Sequence, residues 1–123
     1  MKILLVDDEK INVLSASRLL EKQGHSVTTA CNGLEALDKL EESDFECILM
    51  DIQMPEMDGY EAIDRIRDEF VFGEKSKTPI IAMTGHCYSD AFAEFERAGI
   101  KYYVCKPFDF KTLLDVIKEA TTS

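Results

Sequence analysis

Short apolar runs, too brief for helices, alternate along this chain with longer segments whose apolar residues recur at helical spacing. The runs at residues 3–6, 47–50, 80–83 and 102–105 read as strands buried on both faces. Residues 26–30 are more polar and β-branched, as suits a strand at a sheet edge. Between the runs, Val13, Ala16, Leu19 and Leu20 form one helical stripe, Leu34, Leu37 and Leu40 a second, and Ile63, Ile66 and Phe70 a third. Phe92 with Phe95 suggests a fourth helix, and Leu113, Val116, Ile117 and Ala120 give a fifth. Gly24 and Gly99 fall where the first and fourth helices should stop. Five strands alternating with five helices predict an α/β fold around a parallel sheet, because parallel neighbours need crossover connections, which are right-handed. Residues 72–79 read as a connecting loop, and residues 1–123 are expected to form a single domain.

Composition narrows the function. The chain of 123 residues is 46% hydrophobic, enough for one core, and carries a net charge of −10. Such a surface repels a phosphate backbone, so direct nucleic-acid binding is not expected. No apolar stretch reaches the roughly 18 residues of a membrane span, and two aspartates follow the first apolar run too closely for a signal peptide. A soluble, cytoplasmic protein is predicted. Cys31, Cys47, Cys87 and Cys105 show no metal-ligand spacing and no disulfide framework, so free, buried thiols are expected.

In an open parallel sheet, ligands bind beyond the carboxyl ends of the strands, where strand order reverses. The first strand ends in Asp7-Asp8, the third in Asp51, the fourth in Thr84 and the fifth in Lys106-Pro107. Each residue alone has an ordinary role: a helix cap, a turn residue, a turn hydroxyl, a solvated lysine. Their joint placement on one rim is what points to chemistry. If the first and third strands are neighbours, three carboxylates converge, and each like-charge pair at ~4 Å costs ~4 kcal/mol at an effective dielectric of about 20. Lys106 offers one compensating charge. A hard divalent cation offers two, and oxygen-only ligands favour Mg²⁺.

Four segments carry a family resemblance: Leu4-Leu5-Val6-Asp7-Asp8-Glu9, the run from Met50 through Asp51, Ile52, Gln53 and Met54-Pro55-Glu56-Met57-Asp58-Gly59, Ile80-Ile81-Ala82-Met83-Thr84, and Lys106-Pro107-Phe108. In this order and strand context the chain resembles, over residues 2–119, the receiver domain of two-component response regulators. The resemblance implies a flavodoxin-like (βα)5 fold with strand order 2-1-3-4-5. It implies that Asp51 accepts a phosphoryl group from the phosphohistidine of a histidine kinase or phosphotransfer protein. Asp8 and Asp51 would then bind Mg²⁺ directly, with the main-chain carbonyl of Gln53, and Asp7 through a metal-bound water. Lys106, joined to Pro107 by a cis peptide bond, would pair with the phosphoryl oxygens, and Thr84 would hydrogen-bond the phosphate. Tyr103, three residues before Lys106, matches the family's switch aromatic, so a Thr84/Tyr103 switch controlling a downstream protein partner is expected. The fourth helix, fifth strand and fifth helix would form the output face, to which Phe92 and Phe95 contribute unless they only pack on the sheet. Gly85 stands where the family usually has alanine, while Gln53 and His86 occupy positions suited to tuning phosphate hydrolysis.

Three other readings compete. A Mg²⁺-dependent phosphatase of the haloacid-dehalogenase type needs a second aspartate two residues after its nucleophile, where this chain has Gln53. A flavin-binding electron carrier needs a neutral phosphate loop after the first strand, where Asp7-Asp8-Glu9 would repel the anion. A receiver-like interaction module that works without phosphorylation would not need Asp7, Asp8, Asp51, Thr84 and Lys106 all intact. A signalling switch, acting catalytically only on its own phosphate, is the expected outcome.

Overall fold

The computed structural model of the chain describes residues 1–54, 57–85 and 89–122. Its five strands are β1 (Lys2–Val6), β2 (Ser26–Ala30), β3 (Cys47–Asp51), β4 (Ile80–Thr84) and β5 (Tyr102–Cys105). They form one parallel sheet in the order β2-β1-β3-β4-β5. β3 and β4 are buried at every residue, as continuous apolar runs in a covered sheet should be, whereas β2 at the edge is buried only at Ala30.

Alternate strand residues feed two cores. Leu4, Val6, Ile48, Met50 and Ala82 pack against α2 (Gly33–Glu42), α3 (Gly59–Ile66) and α5 (Ser89–Arg97). Ile3, Leu5, Leu49, Ile81, Met83 and Val104 pack against α1 (Lys10–Lys22) and α6 (Phe110–Thr122). Gly24 and Gly99 do end their helices. Their φ values of 91° and 75° are left-handed. In each case the glycine N–H returns to the helix (Glu21 O, Glu96 O), and the next residue's N–H reaches Leu20 O or Phe95 O.

The sequence-based expectation fails in the connection from α3 to β4. The stripe of Ile63, Ile66 and Phe70 is interrupted: α3 stops at Ile66, and Phe70 lies in a separate turn, α4 (Glu69–Phe72), fully exposed. Asp68 is the cause, since its carboxylate accepts the Phe70 N–H at 3.0 Å and starts a new helix. Phe72 enters the core instead. The expected loop at 72–79 contains a 3₁₀ helix (Gly73–Lys77), with Arg67 Nη1 donating to Ser76 O and Thr78 O. On α2, Leu34 is half exposed, and the buried stripe runs through Ala36 and Leu40.

The cysteines divide. Cys31 is exposed, and Cys47 is a free thiol in the core, where burial pushes it up to about 12. Cys105 is disulfide-bonded, so the expectation of free, buried thiols fails there, and the expected burial fails at Cys31. Cys105 ends β5, half-buried. Cys87 lies outside the described residues. Among the described residues no helix is long and apolar enough to cross a membrane.

Candidate functional site

β1 and β3 are neighbours with Val6 paired to Met50, so Asp7, one residue past β1, stands level with Asp51, the last residue of β3. Carboxylate oxygens of Asp7, Asp8 and Asp51 lie within 4.8 Å of one another. Asp7 and Asp51 are buried, at 4% and 2% exposure, while Asp8 faces solvent. Neither Asp7 nor Asp8 is the helix cap. That position is Glu9, whose N–H bonds Asp7 Oδ1 at 2.9 Å. Asp7 is fixed further by its own N–H to Ala30 O.

Lys106 comes from the far side of the sheet. Its N–H bonds Thr84 O at 2.6 Å, and its peptide bond to Pro107 is cis. Its ammonium lies 3.3 Å from Asp51 Oδ2 and 3.4 Å from Asp7 Oδ2. Burial raises the Asp51 carboxyl to about 6, against the pull of Lys106 and with added repulsion from Asp7. For Lys106, burial acts downward, but the attraction of Asp51 and Asp7 outweighs it and the net shift is upward. Among the described residues, one ammonium against three carboxylates leaves the rim short of positive charge. Oxygen-only donors, with one exposed carboxylate open to water, fit a hard divalent ion that keeps part of its hydration shell.

Gln53 and Thr84 join the same rim. The Gln53 N–H donates to Asp51 Oδ1 at 3.1 Å. Thr84 ends β4, fully buried, and its Oγ1 accepts a hydrogen bond from Gln53 Nε2 at 3.2 Å. Tyr103 is not brought to them. It pairs with Ala82 in the sheet, and its ring, 36% exposed, lies against Phe92 and Phe95 at centroid distances of 5.3 and 5.1 Å. Phe95 is buried in the core, but Phe92 stays 42% exposed, so only one of the two phenylalanines is purely a packing residue. His86 lies outside the described residues.

Two features escaped the sequence reading. Gly59 opens α3 directly beneath the acceptor, where a Cβ would lie 2.5 Å from Asp51 O and 2.7 Å from Ile52 Cα. The Asp58-Gly59 pair was the available signal, since Asp58 caps α3 by accepting the Glu61 N–H at 2.9 Å. The side-chain bridge of Gln53 had no such signal. Beside the carboxylates a cleft of about 450 Å³ opens between α1 and the segment after β5, lined in part by Asn12, Leu19, Lys106, Pro107 and Phe108.

Known proteins are similar to this chain in sequence and fold. The family model described as the response regulator receiver domain matches residues 3–118. A hybrid signal transduction histidine kinase I of Dictyostelium discoideum is 40% identical over 121 residues, covering 94% of this chain but 7% of that protein. A probable histidine kinase 1 of Oryza sativa subsp. indica is 32% identical, covering 96% of this chain and 15% of that protein. Among solved structures, Vibrio cholerae chemotaxis protein CheY4 superposes with a TM-score of 0.88 at 32% identity, covering 97% of each chain. The receiver domain of sensor histidine kinase PA1611 from Pseudomonas aeruginosa PAO1, with a magnesium ion in its active-site cleft, gives 0.88 at 30% identity over 99% of this chain and 98% of that one. The fold and its carboxylate rim are those of a phosphorelay signalling module, and the chain belongs to the response regulator receiver domain family.

Proposed function

We propose that Asp51 takes a phosphoryl group from the phosphohistidine of a histidine kinase or histidine phosphotransfer protein, and that a downstream protein recognises the phosphorylated form. The observation that carries this reading is the meeting of buried Asp51 with Asp7, Asp8 and Lys106 at the carboxyl end of β3. A carboxylate oxygen of Asp51 attacks phosphorus. The P–N bond breaks, its electron pair stays with the imidazole, and an acyl phosphate forms. A carboxyl titrating at about 6 is mostly ionised at neutral pH, so no separate general base is needed. The Lys106 ammonium, 3.3 Å from Asp51 Oδ2, is placed to pair with the phosphoryl oxygens as charge builds on them.

Asp8, Asp51 and the Gln53 main-chain carbonyl are the direct ligands we assign to Mg²⁺, with Asp7 acting through water. Bound there, the ion supplies charge neutralisation of the phosphoryl oxygens. The magnesium in the cleft of the Pseudomonas domain supports the assignment. Gln53 stands where a phosphatase would carry its general acid, which favours a switch that turns over only its own phosphate.

Thr84 serves as the hydroxyl drawn toward the phosphoryl group, and Tyr103 as the ring that reports its movement on the face of α5, β5 and α6. The exposure of Phe92 beside Tyr103 supports that face as the output surface. Residues 1–123 act as one domain, in the cytoplasm where a kinase donor would meet them, and the acidic surface disfavours nucleic acid as a direct partner.

Intact-mass spectrometry after incubation with Mg²⁺ and acetyl phosphate tests the chemistry. One phosphate adduct is expected, dependent on Mg²⁺ and lost in Asp51→Asn; an adduct persisting in that variant moves the acceptor elsewhere. No adduct, even with a cognate kinase, would leave an interaction module. Tyr103→Ala is expected to uncouple phosphorylation from partner binding, and unchanged phosphate-dependent binding would end the switch role.

A further inference from the structure

Gln53 touches three groups around the acceptor. Its main-chain N–H bonds Asp51 Oδ1 at 3.1 Å, its side-chain Nε2 donates to Thr84 Oγ1 at 3.2 Å, and its Oε1 accepts the Gly85 N–H at 3.3 Å. The orientation of the carboxamide follows from chemistry, because a backbone N–H can only donate and must face the oxygen, which turns the NH₂ toward the hydroxyl. One side chain thus ties the segment after β3 to the end of β4 and the first amide beyond it.

Thr84 Oγ1–H and Gly85 N–H are the donors that a phosphoryl group on the neighbouring strand end must recruit if β4 is to respond to it. In the unphosphorylated domain the Gln53 carboxamide takes up the Gly85 N–H and, by donating to the Thr84 oxygen, anchors that side chain without using its O–H. We propose that Gln53 is a latch: its Oε1 competes with the phosphoryl oxygens for the Gly85 N–H while its NH₂ restrains Thr84, and so it sets how readily phosphorylation at Asp51 moves the switch. This rests on the reading of Asp51 as acceptor and adds a positioning residue to it, one that acts through Thr84 and Gly85 rather than on phosphorus. A neutral carboxamide suits the task. It holds the two groups with long bonds of 3.2 and 3.3 Å, whereas a phosphoryl oxygen makes shorter, charge-assisted ones and displaces it.

The test uses Mg²⁺ with beryllofluoride, a stable mimic of the phosphoryl group, titrated into wild type, Gln53→Ala and Gln53→Met while the Gly85 amide resonance is followed. Methionine keeps the length and bulk of glutamine but neither bond. Both variants are expected to shift the Gly85 resonance before titration and to bind beryllofluoride on the order of tenfold more tightly. That gain should shrink when Thr84→Val is added, to the part carried by the Gly85 N–H alone. If Gln53→Ala gains affinity and Gln53→Met does not, bulk alone shields the site and the latch is wrong. Equal affinity in all three proteins also overturns it, while leaving Asp51 as acceptor. Wild type that takes neither beryllofluoride nor phosphate removes the acceptor reading and the latch with it.

Discussion

Asp51 sits where the sheet itself generates cost: a carboxylate at 2% exposure, beside Asp7, with Lys106 as its nearest cation. Its carboxyl is raised from an ordinary 3.8 to about 6. The folded state therefore holds the proton more tightly than the unfolded chain does. Stability of the metal-free domain is greatest below the unfolded value and falls as pH rises from about 4 to about 6. Above that window the full loss persists, an upper bound of ~3 kcal/mol for about 2 pH units, with the attraction to Lys106 already included in the shifted value. Asp51→Asn should therefore stabilise the metal-free protein by ~1–2 kcal/mol at pH 7.5 and flatten its acid-side dependence, as read by urea unfolding at several pH values. Unchanged stability would mean that Lys106 already balances the charge.

At the scale of elements, the connection between α3 and β4 depends on one side chain. The Arg67 guanidinium is held below its ordinary value by burial, and it donates to both Ser76 O and Thr78 O across the base of the 3₁₀ helix. Replacing it with methionine preserves length and apolar stem but leaves two carbonyls without a charged donor. A loss of ~1–3 kcal/mol is expected, measured as a lower urea midpoint with unchanged slope. A changed slope would instead mean that the connection unfolds separately from the sheet. Local pattern could not foresee this element. Ile63, Ile66 and Phe70 have helical spacing, but spacing is blind to the carboxylate of Asp68, which ends one helix and begins the next.

Across the whole molecule, both cores share one five-stranded sheet, so the domain should unfold in a single step. A metal that binds only the folded site adds stability by mass action. Mg²⁺ at about a hundred times its dissociation constant is worth ~2.7 kcal/mol, a rise in Tm of roughly 10 °C for a domain of this size. Asp51→Asn should abolish most of that rise. Calorimetry with and without Mg²⁺ checks both statements: two transitions would divide the chain, and an equal rise in the variant would place the ion elsewhere.

The alternation of apolar runs and helical stripes determined the five strands, both glycine stops and the residues at each strand end, because these depend on periodicity along the backbone. Asp7, Asp8, Asp51, Thr84 and Lys106 were legible for that reason: a parallel sheet brings all its carboxyl ends to one edge. What the tertiary structure alone decided lies in contacts between segments distant in sequence. The Gln53 carboxamide reaches a hydroxyl 31 residues away, and Lys106 reaches Asp7 across 99. Such pairings leave no periodic trace, since each requires only that two side chains arrive at the same point on the rim once the sheet has formed.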